Sequence, residues 1–465
     1  MLKLYDHQLA LSKYATRDRG LILYWPCGSG KTIGALYLAQ LWRQRYSRII
    51  VLTNATVKYQ WACVMRDEFG MASQILDGQT PAGIVKSVDT VIVSYEILPY
   101  WIDVLLAWAR DGDTLFIADE IHKLKAWKRQ TKTVDQYGNV VYELADNIVG
   151  AAELLSRNVL LRVGLTATLL RDRRPDIWGQ VDIIAPGELG TSWDFVHRYC
   201  GARKGEHGGL DVSGHTNTAE LKGRLEKYID KVTKEYIDQI MPPITRDTVY
   251  IDKQSRGLTK KEMDMQRRLG RGREAEIEDA TRRKFGWLKE VLPDIISSGR
   301  VFISVIRKNI ISDVAAVVAK VLPGVPVFTA TGEDSIQVRL GIVSKVAALP
   351  EAVIIATLDS FAESIDGMQT INTVILLSLP DTEGDLIQFE GRFRRLGGSH
   401  NRIVFTVATN TIDERLLDNL SSKLEDYDRL LAEPDRKEML GSLQLGGQTK
   451  EALLSSVLDD LKRGG

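Results

Sequence analysis

Short runs of consecutive apolar residues recur through the first half of the chain, and longer stretches with helical spacing of apolar positions separate them. These runs are Leu21–Trp25, Ile49–Leu52, Thr90–Val93, Thr114–Ile117 and Val159–Val163. Strands that are apolar at every position, rather than at every second one, are typical of a parallel sheet covered by helices on both faces. The pattern therefore predicts an α/β lobe built on a parallel sheet.

A second series of apolar runs with the same character follows residue 300. These runs are Val301–Val305, Val325–Phe328, Ala352–Ala356, Thr373–Leu377 and Arg402–Val407. A chain of 465 residues exceeds the usual size of one hydrophobic core, so two lobes of similar construction are expected. We predict a first lobe over residues 1–235, a linker and helical insertion over 236–290, a second lobe over 291–433 and a polar tail over 434–465.

The chain carries equal numbers of positive and negative side chains, which limits how a nucleic acid could bind to it. Lys and Arg total 61, and Asp and Glu also total 61. A nucleic acid would therefore have to bind in a locally basic groove, because the molecule as a whole does not attract it. The most basic long segment runs from Arg256 to Lys284, with ten Lys and Arg residues against six Asp and Glu. A solvated linker helix is the favoured interpretation of that segment.

The cysteines and the apolar runs indicate the cellular setting. The three cysteines lie far apart without a CxxC pair, which argues against a zinc site and a disulfide framework and fits a reducing compartment. The first residues lack the apolar core of a signal peptide, and no apolar run approaches the length of a membrane span. We therefore expect a soluble, cytoplasmic protein without a membrane partner.

The first apolar run leads into a glycine-rich turn made of Pro26, Cys27, Gly28, Ser29, Gly30, Lys31 and Thr32. Glycines let backbone N–H groups approach phosphates closely, and the helix that follows presents the positive end of its dipole. Lys31 would reach the β- and γ-phosphates, and the Thr32 hydroxyl would bind Mg²⁺. The turn predicts a nucleotide site, although Trp25 stands where the phosphate-loop pattern has glycine. A simple turn between a core strand and a core helix is the alternative.

Two adjacent carboxylates, Asp119 and Glu120, follow the apolar run that begins at Thr114. At the carboxyl end of a parallel strand, Asp119 is placed to hold Mg²⁺ and Glu120 to orient and deprotonate the attacking water. The alternative is a purely structural role, in which Asp119 caps the N-terminus of a helix and Glu120 is a charge in its first turn. The phosphate-loop pattern upstream favours the catalytic interpretation.

Positive charge for the γ-phosphoryl group is predicted to come from the segment Gln388–Arg395. Helical spacing would place Arg392 and Arg395 on one face, with Gln388 four residues before Arg392. Gly391 weakens such a helix and suggests close approach to another group. A basic surface helix is the alternative.

These motifs, in this order, resemble those of superfamily-two helicases and translocases. The stretch Asp119–Lys125 is close to the DEAHxLK motif of the Swi/Snf-type branch, and Gln388–Arg395 is similar to its Q-x-x-G-R-x-x-R motif. The remaining similarities lie in Tyr5–Gln8, Ala55–Trp61, Val93–Leu98, Gly164–Thr168, Ile177–Trp178, Pro186–Gly187 and the stretch from Phe195 to Pro243. Within that branch the chain resembles the HARP-like annealing-helicase group, and its compactness resembles phage and bacterial members.

The resemblance implies two RecA-like lobes with parallel sheets, an ATP cleft between them, and ATP with Mg²⁺ as cofactors. The implied catalytic residues are Lys31, Asp119, Glu120, Arg392 and Arg395. The implied nucleotide-binding residues are Gln8, which would read adenine, Pro26, Cys27, Gly28, Ser29, Gly30, Lys31, Thr32, Gln388 and Gly391. Thr32 and Asp119 would hold the metal. Nucleic-acid contact or coupling is implied for Thr53, Lys58, His122, Thr166, Thr168, Thr357 and Asp366.

The leading hypothesis from the sequence is an ATP-driven DNA translocase that remodels or reanneals duplex or forked DNA. A close variant is a strand-separating helicase, including one that acts on RNA. A different class is a nucleotide-gated recruitment module, and a third is the ATPase subunit of a nuclease complex. In the last case the tail after Pro434 would contact a protein partner such as a nuclease or a replication protein.

Overall fold

Two compact units make up the chain, Met1–Thr233 and Lys234–Gly465. The computed structural model describes residues 3–126, 130–134, 140–144, 147–170, 173–205, 209–252, 254–361, 365, 367–396, 398–431, 439, 441–443 and 449–463. Each unit contains one large sheet in which every pair of neighbouring strands is parallel.

The sheet of the first unit has seven strands in the order β11-β1-β8-β5-β2-β4-β3. The strands of this unit are β1 Leu21–Tyr24, β2 Arg48–Thr53, β3 Gln74–Ile75, β4 Thr90–Ser94, β5 Thr114–Asp119, β6 Gln130–Val134, β7 Val140–Leu144, β8 Leu161–Thr166, β9 Arg203–Lys204, β10 Leu210–Asp211 and β11 Ile229–Lys231. Its helices are α1 Asp6–Leu9, α2 Lys31–Leu41, α3 Lys58–Phe69, α4 Leu98–Arg110, α5 Asn147–Arg157, α6 Pro175–Ile184, α7 Ser192–Tyr199 and α8 Thr218–Leu225. The pairs β6–β7 and β9–β10 are separate antiparallel ribbons.

The sheet of the second unit has six strands in the order β12-β17-β16-β13-β15-β14. They are β12 Ile244–Ile251, β13 Arg300–Val305, β14 Val327–Ala330, β15 Ala352–Thr357, β16 Thr373–Leu376 and β17 Asn401–Ala408. The helices are α9 Lys234–Ile240, α10 Lys260–Arg268, α11 Gly272–Arg283, α12 Phe285–Ile295, α13 Ile311–Val321, α14 Ile336–Ala347, α15 Glu383–Phe393, α16 Ile412–Leu431 and α17 Lys450–Arg463. Two apolar clusters, one on each side of this sheet, form its core.

The apolar runs identified the central strands correctly. Each of the ten runs overlaps a strand of one of the two sheets, and these strands are almost entirely buried except for the edge strand β14, which is partly exposed. Runs of this kind form central strands because both faces of a parallel sheet lose contact with water. The runs did not reveal the edge strands β3, β11 and β12, which are short or interrupted by polar residues.

The segment 236–290, expected to be a linker with a helical insertion, belongs to the second unit. Its strand β12 pairs with β17 along its whole length, and α12 lies in the apolar core. Lys284 is fully buried, and its ammonium group donates to the carbonyl oxygens of Leu377 at 2.9 Å and Thr406 at 2.8 Å. It also lies 2.6 Å from the buried carboxylate of Asp413. Lys284 therefore ties this segment to the carboxyl ends of the sheet.

Part of the predicted polar tail is also built into the second unit. In α17, Leu453 and Val457 are buried in the apolar core. Two polar contacts fix the same helix, an ion pair of 2.9 Å between Lys450 and Glu290 and a bond from Arg402 to the Ser456 hydroxyl. Leu453 and Val457 of α17 are thus covered within the second unit and are not free to dock a partner.

The described helices include none that is long and apolar enough to cross a membrane. Within the described ranges, no group of three or more His, Cys, Asp and Glu side chains is arranged to hold a metal ion. The cysteines are free thiols; Cys200 is buried, and burial raises its pKa to about 12.

Candidate nucleotide site

The glycine-rich turn forms a loop between β1 and α2. Gly28 and Gly30 have φ values of +75° and +82°, a left-handed conformation that glycine adopts without steric cost. Ser29 between them is fully buried, and its hydroxyl donates to the carbonyl oxygen of Pro26 at 2.7 Å. Helix α2 begins directly after Gly30, so its first backbone N–H groups point out of the loop. The loop is shaped to bind an anion.

The side chain of Lys31 folds over this loop. Its ammonium nitrogen lies 3.3 Å from the carbonyl oxygen of Trp25 and 3.2 Å from that of Pro26. Thr32 is the second residue of α2 and is half-buried, as is Cys27 in the loop. Lys31, a predicted phosphate ligand, and Thr32, one of the two predicted metal ligands, thus lie together at the start of α2.

Helix α1 packs against the loop through two polar side chains. Gln8 is buried, and its amide nitrogen donates to the carbonyl oxygen of Gly30 at 3.2 Å, while its amide oxygen accepts from the Tyr5 backbone at 2.9 Å. The ring nitrogen Nε2 of His7 lies 2.9 Å from the carbonyl oxygen of Ser29. Burial lowers the pKa of His7, which favours its neutral form. The structure places Gln8 at the loop; its contact with adenine stays a prediction.

Trp25, the departure from the phosphate-loop pattern, is a fully buried anchor at the end of β1. Its indole N–H donates to the Asp230 carboxylate at 2.8 Å, and the edge-on His7 ring lies 4.7 Å away, centroid to centroid. The indole occupies a notch over Gly34 of α2, where a Cβ atom would lie 2.6 Å from the ring. A large residue is accommodated at position 25 because helix α2 has no side chain at position 34.

We expect Gly34→Ala to destabilise the first unit by about 1–3 kcal/mol, because the added methyl group collides with the rigid, buried Trp25 ring. Denaturant unfolding of the first unit measures the effect. Gly223→Ala is the matched control: it also lies inside a helix, and its Cβ would meet no heavy atom within 4 Å. That variant should gain up to about 1 kcal/mol from helix propensity. Equal effects of the two substitutions would contradict the proposed collision.

Asp119 ends β5 and is held by donors from two neighbouring elements. Its Oδ2 atom accepts from the Thr53 hydroxyl at 2.9 Å and from the Trp61 indole N–H at 2.9 Å. The buried Tyr95 hydroxyl donates to the Asp119 backbone carbonyl. Burial raises the pKa of the Asp119 carboxyl, and the adjacent Glu120 charge adds to the increase, whereas the two donors oppose it.

Glu120 turns the chain sharply after β5. It has a φ of +51°, a left-handed conformation that is costly for a residue with a side chain and is often found at functional sites. Its Oε2 atom lies 3.2 Å from Nδ1 of the buried His122. The same ring nitrogen lies 3.3 Å from the Thr166 hydroxyl and 3.2 Å from the Thr168 hydroxyl. His122 therefore joins the carboxylate turn to the segment that follows β8.

Several residues assigned to nucleic-acid contact or coupling lie inside the first unit. Thr53 is fully buried at Asp119, and His122, Thr166 and Thr168 are buried in the network just described. Lys58 is also buried, and its ammonium group donates to the Leu76 carbonyl at 2.7 Å and pairs with Asp77. Their positions in this structure fit coupling within the protein better than direct contact with phosphates.

The remaining two residues of that set belong to the second unit. Thr357 ends β15 and is buried. Asp366 lies outside the described residues. The role of each stays a prediction.

The arginine segment forms helix α15 only in part. The helix ends at Phe393, and Arg394 is extended, so Arg392 and Arg395 do not share one helical face as predicted. The helix ends there because the Arg394 side chain reaches away from it, donating to the Pro242 carbonyl at 3.0 Å and pairing with Asp238 at 2.9 Å.

A buried ion pair fixes α15 to the edge strand β12. The carboxylate of Glu390 accepts two parallel bonds from the Arg246 guanidinium, and the closest N–O distance is 2.9 Å. Both side chains are almost completely buried. Gln388, Gly391 and Arg392 are half-buried on the same helix. Sequence reasoning missed Glu390 and Arg246, although a buried carboxylate beside a predicted catalytic arginine requires a partner.

A family comparison covers the part of the chain that holds the loop and the carboxylates. Residues 2–171 match the family described as Type III restriction enzyme, res subunit. Two curated relatives are named DNA annealing helicase and endonuclease ZRANB3. The Bos taurus protein is 20% identical over 244 residues and the Mus musculus protein 21%, in both cases across 51% of this chain and 21% of the relative. The chain thus spans about a fifth of the length of these relatives.

Two solved structures match this chain along most of its length. The crystal structure of the Pyrococcus furiosus Hef helicase domain matches with a TM-score of 0.50 and 13% identity, over 88% of this chain and 96% of that one. The Sulfolobus solfataricus SWI2/SNF2 ATPase core in complex with dsDNA matches with a TM-score of 0.43 and 16% identity, over 94% and 95%. The likeness to the Hef domain, together with the two parallel sheets, confirms the predicted class of two RecA-like lobes.

Proposed function

We propose that this chain is a superfamily-two helicase of the Swi/Snf type, an ATP-hydrolysing motor that moves along or remodels duplex DNA. One observation carries the proposal. The strands β1, β8 and β5 are neighbours, and the residues at or just after their carboxyl ends are the phosphate loop, the pair Thr166 and Thr168, and the pair Asp119 and Glu120. Ligands of open parallel sheets bind at this edge.

The residues at this edge fit ATP with Mg²⁺. Lys31 and the first N–H groups of α2 would balance the charge of the phosphates, and Thr32 and Asp119 are the oxygen ligands that Mg²⁺ prefers. The bound metal would supply charge that stabilises the leaving phosphate. Glu120 would take a proton from the attacking water, and His122, within hydrogen-bonding distance of it, would fix the position of its carboxylate.

A motor must link this chemistry to the nucleic acid. The curated relatives are named for DNA annealing, which supports DNA as the partner. His122 contacts Glu120 as well as Thr166 at the end of β8 and Thr168 just after it, so a shift of this segment would move the catalytic carboxylate. Arg392 and Arg395 are proposed to act on the γ-phosphoryl group, as their motif implies.

The rate of ATP hydrolysis should be measured with double-stranded, single-stranded and forked DNA and with RNA. We expect duplex DNA to raise the rate of the unmodified chain at least about 10-fold, and Lys31→Ala to abolish the activity because it removes the phosphate-binding ammonium group. Stimulation by single strands, with strand release, would instead identify a strand-separating helicase. A rate that no nucleic acid changes would overturn the motor and favour a nucleotide-gated recruitment module.

A second candidate is the ATPase subunit of a nuclease complex, and the match of residues 2–171 to a restriction-enzyme subunit favours it. Displacement of a triplex-forming strand from duplex DNA by the purified chain would support an independent motor. Displacement that requires a co-purifying nuclease would support the subunit.

A further inference from the structure

Trp61 contacts the proposed metal ligand from α3, the helix that also carries Lys58, for which the family resemblance implies nucleic-acid contact or coupling. It lies on α3, within the stretch Ala55–Trp61, and is 1% exposed. Its indole N–H donates to Oδ2 of Asp119 at 2.9 Å, and the Thr53 hydroxyl donates to the same oxygen at 2.9 Å. Among the residues that the structure describes, no group donates a hydrogen bond to the other oxygen, Oδ1.

We propose that Trp61 is a positioning residue that holds Asp119 so that its second carboxylate oxygen is presented to Mg²⁺. This inference rests on the proposed function, because it assumes that Asp119 binds the metal of an ATP complex. A carboxylate rotates freely unless donors fix it, and two donors to one oxygen fix its plane and leave the other oxygen available. Partners of this kind orient metal ligands in many metal sites.

The chemistry of the two donors makes Trp61 the more decisive of them. An indole nitrogen is a donor only, and the buried ring cannot turn away from Asp119. A threonine hydroxyl is both donor and acceptor and can rotate about its own bond. The direction of the Asp119 carboxylate is therefore set chiefly by where α3 holds the tryptophan.

The position of Trp61 also offers a route from nucleic acid to the metal. Tyr59, two residues earlier on the first turn of α3, is 71% exposed. A strand that contacted this turn would shift α3, and the rigid indole would transmit the shift to Asp119. Trp61 thus joins an exposed surface of the first unit to the carboxylate that the nucleotide requires.

Trp61→Phe removes the N–H and keeps the aromatic packing. We expect the Mg²⁺ concentration for half-maximal binding of a fluorescent ATP analogue to rise about 10-fold or more. Trp101→Phe is the matched control, since Trp101 is equally buried in the same unit and donates its N–H to the Gly78 carbonyl at 2.9 Å. Its Mg²⁺ requirement should stay at the value of the unmodified chain. Equal requirements in the two variants would overturn the inference.

A second pair of variants tests the same arrangement if Trp61→Phe does not fold. Thr53→Val removes the other donor to Asp119, and Thr114→Val removes a buried hydroxyl that donates only to the backbone carbonyls of Ala109 and Gly112. Only Thr53→Val should raise the Mg²⁺ requirement, by less than Trp61→Phe does, because both donors are needed to fix the plane of the carboxylate. No difference between Thr53→Val and Thr114→Val would contradict this two-donor arrangement and with it the inference. The motor proposal is tested by a different measurement: it fails if DNA leaves the ATPase rate of the unmodified chain unchanged.

Discussion

Glu120→Gln is expected to lower the rate of ATP hydrolysis about 10³-fold while leaving ATP binding intact, because glutamine cannot accept the proton of the attacking water. The change keeps the size of the side chain and its left-handed backbone position, so the phosphate loop should be unaffected. Single-turnover hydrolysis gives the rate, and binding of a fluorescent ATP analogue gives the affinity.

The matched control for this prediction is Glu68→Gln, the same change at an exposed position of α3. Its rate should equal that of the unmodified chain. A loss of less than about 10-fold in Glu120→Gln would be too small for a general base and would move that role to another residue. A parallel loss of ATP binding would instead indicate that Glu120 supports the loop.

Glu390→Gln is expected to destabilise the second unit by about 3–5 kcal/mol, because it removes a carboxylate charge that pairs with the buried Arg246 guanidinium. The pair joins α15 to the edge strand β12, so its loss should loosen the segment that carries Arg392. Denaturant unfolding followed by far-UV circular dichroism measures the loss.

Asp381→Asn tests whether burial is the cause. Asp381 pairs with Arg273 at 2.6 Å, but both side chains are more than half exposed, so the expected loss is below about 1 kcal/mol. Similar losses of unfolding free energy in the two variants would show that the burial of Glu390 is not the reason why its charge is costly to remove.

The central strands and the carboxylate turn could be predicted because their signals are local. A continuous apolar run gives a buried strand, and acidic residues directly after it lie at the edge where parallel sheets bind ligands. The strand β12 was missed because Arg246 and Asp247 interrupt its apolar pattern. Both are buried there, and each is paired with an opposite charge, Arg246 with Glu390 and Asp247 with Arg402.

The supporting residues of the site could not be predicted because their partners are distant in sequence. Trp61 meets Asp119 across 58 positions, and Trp25 meets Asp230 across 205. The end of α15 depends in the same way on contacts of Arg394 with Asp238 and Pro242. Helical spacing alone predicted that this helix continues to Arg395, whereas it ends at Phe393 in the structure.

The notch over Gly34 has a consequence for how sequences of this kind can diverge. Because the Trp25 indole fills the space above a helical glycine, neither position can change freely while the other stays as it is. Relatives with glycine at the first position of the phosphate loop are expected to carry a larger residue at the position of Gly34, whereas relatives with tryptophan should keep glycine there. The two positions should therefore change together. An evolutionary intermediate between the two types is expected to have had glycine at both positions, which leaves a cavity, because large residues at both would clash.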